Sequence, residues 1–321
     1  MKAHKLFKRT ALSSLTNLVN NLPHRDVLLV SNQNIKWTAK ELDAYSTAFA
    51  KHLIELGFKP GNKLFIWSDI NHTAEAICSS LGALKAGIII EHNSSEQLEE
   101  IKQSMVKSDI ILFSPYNSFN GQSRLEILNQ WNLNSKHLIQ ISHKSLDGMI
   151  KFKQAFNYSE GFNSSINLPD LDESSIAYSS SLGEITHGDI NTISENYSKS
   201  KKTYSSTLNS TPCFHPASMI LGLFSQINNQ NYSVFPGTYS MREILKQIKM
   251  QNSSSFICED SLLDMKLPED KYKEIAEKSS SLENLVVLSE SGLSENHHKF
   301  IDKCFNNVNV EVFHPDKITK I

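Results

Sequence analysis

Glycine is scarce in this sequence. Twelve glycines in 321 residues compare with roughly 22 at the average usage of about 7%. Proteins that hold phosphate usually concentrate glycine where the backbone must approach the ligand closely, so the shortage argues against a well-furnished phosphate site. A surplus of either charge is also missing. Lys plus Arg is 32 and Asp plus Glu is 34, a net charge of −2, which leaves no electrostatic footprint for nucleic acid or an anionic membrane surface. No long apolar run is present. The longest, Ala86 to Ile90, falls far short of the roughly 20 residues that cross a bilayer. The four cysteines, Cys78, Cys213, Cys258 and Cys304, form no CxxC pair. They read as reduced thiols in or beside a core, not as a disulfide or zinc framework. Hydrophobic residues, at 39%, still suffice for a substantial core.

The first 25 residues lack acid altogether. They carry Lys2, Lys5, Lys8, Arg9 and Arg25, with hydroxyls at Thr10, Ser13, Ser14 and Thr16. Leu12, Leu15, Val19 and Leu22 follow helical steps on one face. A basic, hydroxylated, amphipathic start is how an organelle transit segment looks, and if it is an address the place is the mitochondrion. A leading helix that docks on its own domain has the same pattern. No apolar core of the kind that marks a secretory signal follows the charges.

Beyond residue 25, short β-rich runs alternate with helical patterns. DVLLVS (26–31), KLFIWS (63–68), GIIIE, DIILFS (109–114), HLIQI, SIAYSS, SSFIC, NLVVLS and VNVEVF read as strands. Thr38 and Glu41 have capping-box spacing, and Leu42, Tyr45, Phe49, Leu53 and Leu56 make one apolar stripe that Gly57 ends. Further helices are expected over 71–85 and from Ser94 and Gln97 onward. This rhythm predicts an α/β fold of two stacked lobes with largely parallel sheets. The expected division is a basic N-terminal segment (1–25), a first lobe (26–142), an irregular connection (143–175) and a second lobe (176–321).

Within residues 37–90 the order is Thr38-x-x-Glu41-Leu42, a helix ending Leu56-Gly57, then Lys59-Pro60-Gly61, a strand, and a helix ending Leu84-Lys85-Ala86-Gly87. This order resembles the start of adenylate-forming enzymes, the acyl-CoA synthetase, luciferase and peptide-synthetase adenylation family. The matching residues are scaffold, not chemistry. The resemblance implies the fold of the N-terminal domain of acyl-CoA synthetases. It also implies that Tyr178-Ser-Ser-Ser-Leu-Gly-Glu-Ile-Thr-His-Gly188 stands where the family has its ATP phosphate loop. There the chain keeps Ser179, Ser180 and Gly188, but Ser181 and Glu184 replace internal glycines and His187 replaces the lysine. Pro212-Cys-Phe-His-Pro216, followed by Ile220-Leu-Gly222, is similar to the segment beside the family's acyl or aryl pocket. His215 there reads as a packed or capping histidine, because no base, nucleophile or carboxylate partner is identifiable by spacing. Near the C-terminus, Asp316, Lys317, Thr319 and Lys320 align with the family's Tyr-Gly-x-Thr-Glu motif. Lys320 thus takes the place of the Glu that helps hold Mg²⁺, and an ammonium cannot ligate a metal.

The remaining motifs are weaker. His297 and His298 are adjacent in a helical pattern and diverge too far to share a metal. Lys199, Lys201 and Lys202 read as a solvated helix face. Asp170, Asp172 and Glu173 read as an exposed loop.

Adenylation needs Mg²⁺ and cationic side chains to stabilise the transferring group. The altered loop, the reversed charge at Lys320 and the absence of the C-terminal lid domain together imply a degenerate, truncated pseudoenzyme. Its catalytic, cofactor and metal sites are expected to be none, with Ser179, Ser180, Gly188 and Thr319 vestigial. The expected role is an accessory subunit of a larger mitochondrial assembly, such as a respiratory or ATP-synthesising complex. Its partners would be other protein subunits, with no nucleic acid and no transmembrane segment, peripheral to a membrane complex. The alternative is an acyl- or nucleotide-binding sensor without catalysis, which an open apolar pocket would favour.

Overall fold

The computed structural model describes residues 10–93, 97–133, 137–142, 144, 146–152, 166–181, 183–199, 205–213, 215–305 and 307–314. Two mostly parallel sheets of seven strands form its frame. In chain order the strands are β1 (Asp26–Val30), β2 (Ile35–Thr38), β3 (Lys63–Trp67), β4 (Ile89–Glu91), β5 (Ile110–Phe113) and a short hairpin of β6 (Ser118–Phe119) and β7 (Gln122–Ser123). There follow β8 (His137–Gln140), β9 (Ile150–Lys151), β10 (Ile176–Ser180), β11 (Gly183–Thr186), β12 (Ser206–Asn209), β13 (Tyr232–Phe235), β14 (Ser255–Glu259), β15 (Asn284–Leu288) and β16 (Asn309–Phe313). One sheet runs β11-β10-β4-β3-β5-β8-β9 and the other β16-β15-β14-β12-β13-β1-β2. Within them only the edge pairs β1–β2 and β10–β11 are antiparallel.

The strands are apolar on both faces because both faces are covered, as parallel sheets require. Along β3, Leu64 and Ile66 enter a central core with Val286 and Leu288 of β15. Phe65 and Trp67 point the other way, toward the helices Leu98–Lys107 and Arg124–Trp131. Leu285 and Val287 likewise face outward, onto the helices Met241–Gln251, Glu269–Lys278 and Glu295–Cys304. Side chains alternate at period two along a strand, so each sheet contributes to two cores. The layers are helix, sheet, helix, sheet, helix.

The middle layer contains Ala39–Glu55 and Thr73–Lys85. The first begins with the expected capping box: Glu41 N–H donates to Thr38 Oγ1 (3.3 Å), and Thr38 N–H donates back to Glu41 Oε2 (2.9 Å). That bond from the Thr38 backbone holds the Glu41 carboxyl below its usual range. Leu42, Phe49 and Leu53 are buried, and Gly57 at φ +90° ends the run. The two helices touch at Gly82, where a Cβ would lie 2.7 Å from the Ser46 carbonyl oxygen. Only glycine allows that approach.

The expected linear division into lobes needs correction at both ends. Residues 26–38 form β1 and β2, yet β1 pairs in parallel with β13 and so belongs to the second sheet. Residues 176–186 form β10 and β11, yet β10 pairs with β4 in the first. Each sheet is thus built from separated stretches of chain. The connection 143–175 contributes β9 to the first sheet. Local sequence patterns mark strands well, but nothing local specifies which distant strand each will join.

The N-terminal helix spans Ser13–Asn21, with Leu12, Leu15 and Leu18 buried and Leu22 41% exposed. It docks on the core of its own chain. All four cysteines are free and buried. Among the described residues no helix is long and apolar enough to cross a membrane.

Candidate binding cleft

The hairpin β10–β11 occupies the place of the expected phosphate loop. Its register pairs Ser179 with Glu184 and Ser180 with Gly183. Thr186 then caps the helix His187–Lys199: Asp189 N–H donates to Thr186 Oγ1 (3.1 Å) and Thr186 N–H to Asp189 Oδ2 (2.8 Å). His187, the substitute for lysine, is fully buried and accepts the Ala11 backbone N–H at Nδ1 (3.3 Å). Burial pushes its pKa down to about 4, so the imidazole is neutral at pH 7. Glu184 is exposed, and Gly188 packs against the Glu173 carbonyl, which would stand 3.0 Å from an added Cβ.

Ser179 is taken up by a neighbour. Its hydroxyl donates to Glu91 on the adjoining strand, and Lys63 Nζ donates to both Glu91 Oε2 (3.0 Å) and Ser179 Oγ (3.1 Å). The Glu91 side chain is 3% exposed. A carboxylate therefore stands beside the first serine, already neutralised by an ammonium. Ser180 Oγ reaches the Gly183 carbonyl at 3.4 Å. Asp316, Lys317, Thr319 and Lys320 lie outside the described residues.

A second feature lies between the sheets. A cavity of about 830 Å³ opens where β3, β14 and β15 end at Trp67, Glu259 and Leu288. Clefts at the carboxyl ends of strands are where open α/β sheets bind ligands. The volume falls within the roughly 300–1,000 Å³ range of small-molecule sites. Phe65, Trp67 and Phe119 line one side; Asp260, Ser289 and Glu290 line the other. Asp260 accepts the Ser289 hydroxyl at 2.5 Å.

His215 also lines this cavity. It caps the helical stretch 216–228, accepting the Ala217 N–H at Nδ1 (3.2 Å), and its ring lies 4.4 Å from that of His92, edge to face. That stretch passes through a π-helical turn at Ile220–Phe224. Gly222 is required there, because a Cβ would fall 2.0 Å from Asn209 Nδ2. Asn209 in turn donates to the Ser218 carbonyl and hydroxyl (3.1 and 2.9 Å).

Arg124 was not among the residues that sequence reasoning singled out. It is 6% exposed, lies 5.2 Å over the Trp67 ring, pairs with Asp69 at 3.6 Å and donates to Ser114 Oγ at 3.1 Å. Burial lowers its pKa and the Asp69 carboxylate opposes that shift. The signal was present: a capping box at Ser123 and Glu126 starts this helix, and Arg124 falls on the same face as Ile127 and Leu128. Asp260 and Glu290 gave no such signal.

The other motifs lie elsewhere. His297 Nε2 bonds Asp264 Oδ1 at 2.8 Å, and His298 does not share that contact. Asp172 closes a local turn with Ser174 and Ser175. Lys199 ends its helix, and Lys201 and Lys202 lie outside the described residues. Among the described residues no three His, Cys, Asp or Glu converge to hold a metal.

No protein-family model matches the chain. A stretch of 108 residues is 26% identical to a putative acyl-CoA synthetase, YngI, of Bacillus subtilis (strain 168), covering 33% of this chain and 19% of that protein. A stretch of 103 residues is 33% identical to the nonribosomal peptide synthetase GRA1 of Gibberella zeae, covering 30% of this chain and 1% of that protein. The likeness in structure is far broader. A putative long-chain-fatty-acid CoA ligase from Rhodopseudomonas palustris superposes with a TM-score of 0.74 at 16% identity, over 95% of this chain and 75% of that one. The chain has the adenylate-forming ligase fold. The anthranilate CoA ligase AuaEII, solved with anthranoyl-AMP, gives a TM-score of 0.73 at 16% identity, over 95% of this chain and 60% of that one. The N-terminal subdomain of Klebsiella oxytoca NpsA gives 0.68 at 14%, over 97% and 74%. The fold is thus that of an N-terminal ligase domain.

Proposed function

We propose that this adenylate-forming fold is a binding module that no longer adenylates. The observation behind this reading is the contrast between an open cleft of about 830 Å³ and a hairpin whose lysine position holds a buried neutral His187. Adenylyl transfer depends on cationic stabilisation of the phosphates. Lys63, the cation nearest Ser179, is already paired with Glu91. The cleft between the sheets needs no such machinery to hold a small molecule. The test is ATP–pyrophosphate exchange with Mg²⁺ and a panel of fatty, aryl and amino acids. No exchange above background is expected, and turnover that is lost in Ser179→Ala would overturn the reading.

A second reading keeps the inactive fold as an accessory subunit of a larger, mitochondrial assembly. It is favoured by β16, the edge strand of its sheet among the described residues, where Val312 is 45% exposed. Exposed edges and apolar side chains invite a covering partner. Purification of the endogenous protein at its native size separates the two readings. A monomer would remove the subunit role and leave the binding module.

A further inference from the structure

The hairpin of β6 and β7 stands apart from both seven-stranded sheets and is joined by two residue pairs, Ser118 with Ser123 and Phe119 with Gln122. Its connection is Asn120-Gly121, the one Asn-Gly pair in the sequence. Both residues have positive φ, 50° and 84°, as a type I′ turn demands of its two central positions. Both are exposed. A Cβ on Gly121 would meet nothing within 4 Å. Among the described residues no hydrogen bond engages the Asn120 side chain or the Gly121 N–H. In an Asn-Gly pair the side-chain amide is least shielded from the next backbone nitrogen, because glycine carries no side chain and turns freely. An isolated two-stranded hairpin is marginal in water, so this one opens without disturbing either large sheet. Opening lets the Gly121 nitrogen reach Asn120 Cγ.

The turn holds one wall of the cleft in place. The Phe119 ring meets Trp67 edge to face with centroids 5.6 Å apart, and Trp67 stacks on Trp131 at 6.0 Å. Phe119 and Trp67 both line the cavity. The flanks of the hairpin are pinned. Arg124 N–H donates to the Asn117 carbonyl (3.2 Å) and Leu125 N–H to that of Pro115 (3.1 Å). Ser123 and Glu126 exchange the two bonds of a capping box (2.9 and 3.2 Å). Any change in the length of the connection therefore falls on residues 118–122, whose one large apolar side chain is Phe119.

We propose that Asn120 is a deamidation site, and that its conversion to isoaspartate releases Phe119 from the cleft wall. The Gly121 nitrogen attacks Asn120 Cγ, the C–N bond of the side-chain amide breaks, and ammonia leaves with the proton from the Gly121 nitrogen. Water then opens the resulting succinimide, at the α-carbonyl to give isoaspartate or at the side-chain carbonyl to give aspartate. One water enters and one ammonia leaves, with no oxidant or reductant. Isoaspartate routes the main chain through Cβ and Cγ, which lengthens the connection by one carbon and adds a carboxylate. A two-residue turn with that extra atom no longer sets Phe119 opposite Gln122. The consequence for ligands rests on the reading of the cleft as a binding site; the modification itself does not. In the test, the full chain is aged at mildly alkaline pH beside the urea-unfolded chain. Both are followed by peptide mass spectrometry, labelling with an isoaspartyl methyltransferase, tryptophan emission and Nile red titration. Residue 120 should convert at a rate within about tenfold of that in urea, as a segment that opens easily implies. Buried Asn209 and Asn231 should stay intact in the folded chain. Isoaspartate should be the main product, and tryptophan emission should move to the red. Nile red should bind about two- to tenfold more weakly, as the loss of one aromatic contact implies. Asn120→Gly keeps the turn, since Gly-Gly also suits type I′, and should show none of these changes. Freshly made Asn120→Asp adds the charge without the extra carbon and should match the unaged chain. Conversion of residue 120 in urea alone would overturn the site. Isoaspartate with unchanged emission, or the same change of emission in aged Asn120→Gly, would overturn the release of Phe119. If the fresh chain does not bind Nile red, the binding reading falls, while mass and emission still decide the fate of Asn120.

Discussion

The hairpin 176–188 and the cleft between the sheets are two parts of one ligase fold, and they have been filled in opposite ways. Around the hairpin the chain takes up the serine and histidine positions itself, although the Tyr178 hydroxyl and His187 Nε2 are buried without a hydrogen bond. Ser179 is held by Glu91 and Lys63, and His187 is turned inward to the Ala11 backbone. In the cleft a volume of about 830 Å³ is left open, with Trp67 and Phe119 on one side and Asp260 and Glu290 on the other. A site that satisfies itself gives up its affinity for a ligand, because any newcomer must first displace internal bonds. A site that leaves its volume open demands no such displacement.

The contrast is sharpest in its pH dependence. His187 has an ordinary value of 6.5 and a folded value of about 4. As pH falls the unfolded chain takes the proton first. The stability that the neutral imidazole allows is present above pH 6.5 and is lost as pH drops toward 4. About 3 kcal/mol is expected from such a shift. Chemical denaturation between pH 7 and 4 should show that loss, and His187→Gln should flatten it. An unchanged slope in the variant would mean that the loss comes from another group. Next in size, Glu91→Ala strands Lys63 and Ser179. Removing one partner of a buried pair costs about 3–5 kcal/mol, but Lys63 is 31% exposed, so about 2 kcal/mol is expected in urea unfolding.

Tyr178, on β10 within the hairpin, is 1% exposed with a hydroxyl that has no hydrogen-bond partner, and burial pushes its pKa up. Tyr178→Phe should be neutral or stabilise by up to about 1 kcal/mol, since it deletes an unsatisfied group. A loss of stability would reveal a partner for that hydroxyl. Smallest of all, Glu290→Gln at the exposed rim of the cleft should leave the melting midpoint within about 0.5 kcal/mol of wild type. A larger change would place this acidic wall in the folding core.

The fold was legible wherever one element carried its own signal. The capping box at Thr38 and Glu41, the apolar stripe behind it and the runs KLFIW, IILF and NLVVL all became the elements their patterns indicate. The strand Ser206–Asn209 was not legible. It is fully buried yet polar, because Asn209 and Ser206 bond to groups from distant segments. Of the candidate site, the hairpin could be read because its residues are consecutive. The cleft could not, because Ser68, Arg124, Asp260 and Glu290 come from four separate segments. Only the topology brings them together.

The interleaving of the sheets constrains how the chain is made. Leu28 of β1 pairs with Ser233 of β13, which leaves the ribosome about 200 residues later. At roughly 5–20 residues per second, that delay lasts about 10–40 seconds. Throughout it, β1 and β2 can form only a lone hairpin, which is marginal in water. The first sheet meets a shorter delay, because β4 must wait about 90 residues for β10. Neither half can close during synthesis before the other has begun. Nascent chains arrested before residue 232 should therefore remain protease-sensitive over 26–38, and the protein should lean on holdase chaperones for longer than a domain whose strands pair with their neighbours in sequence.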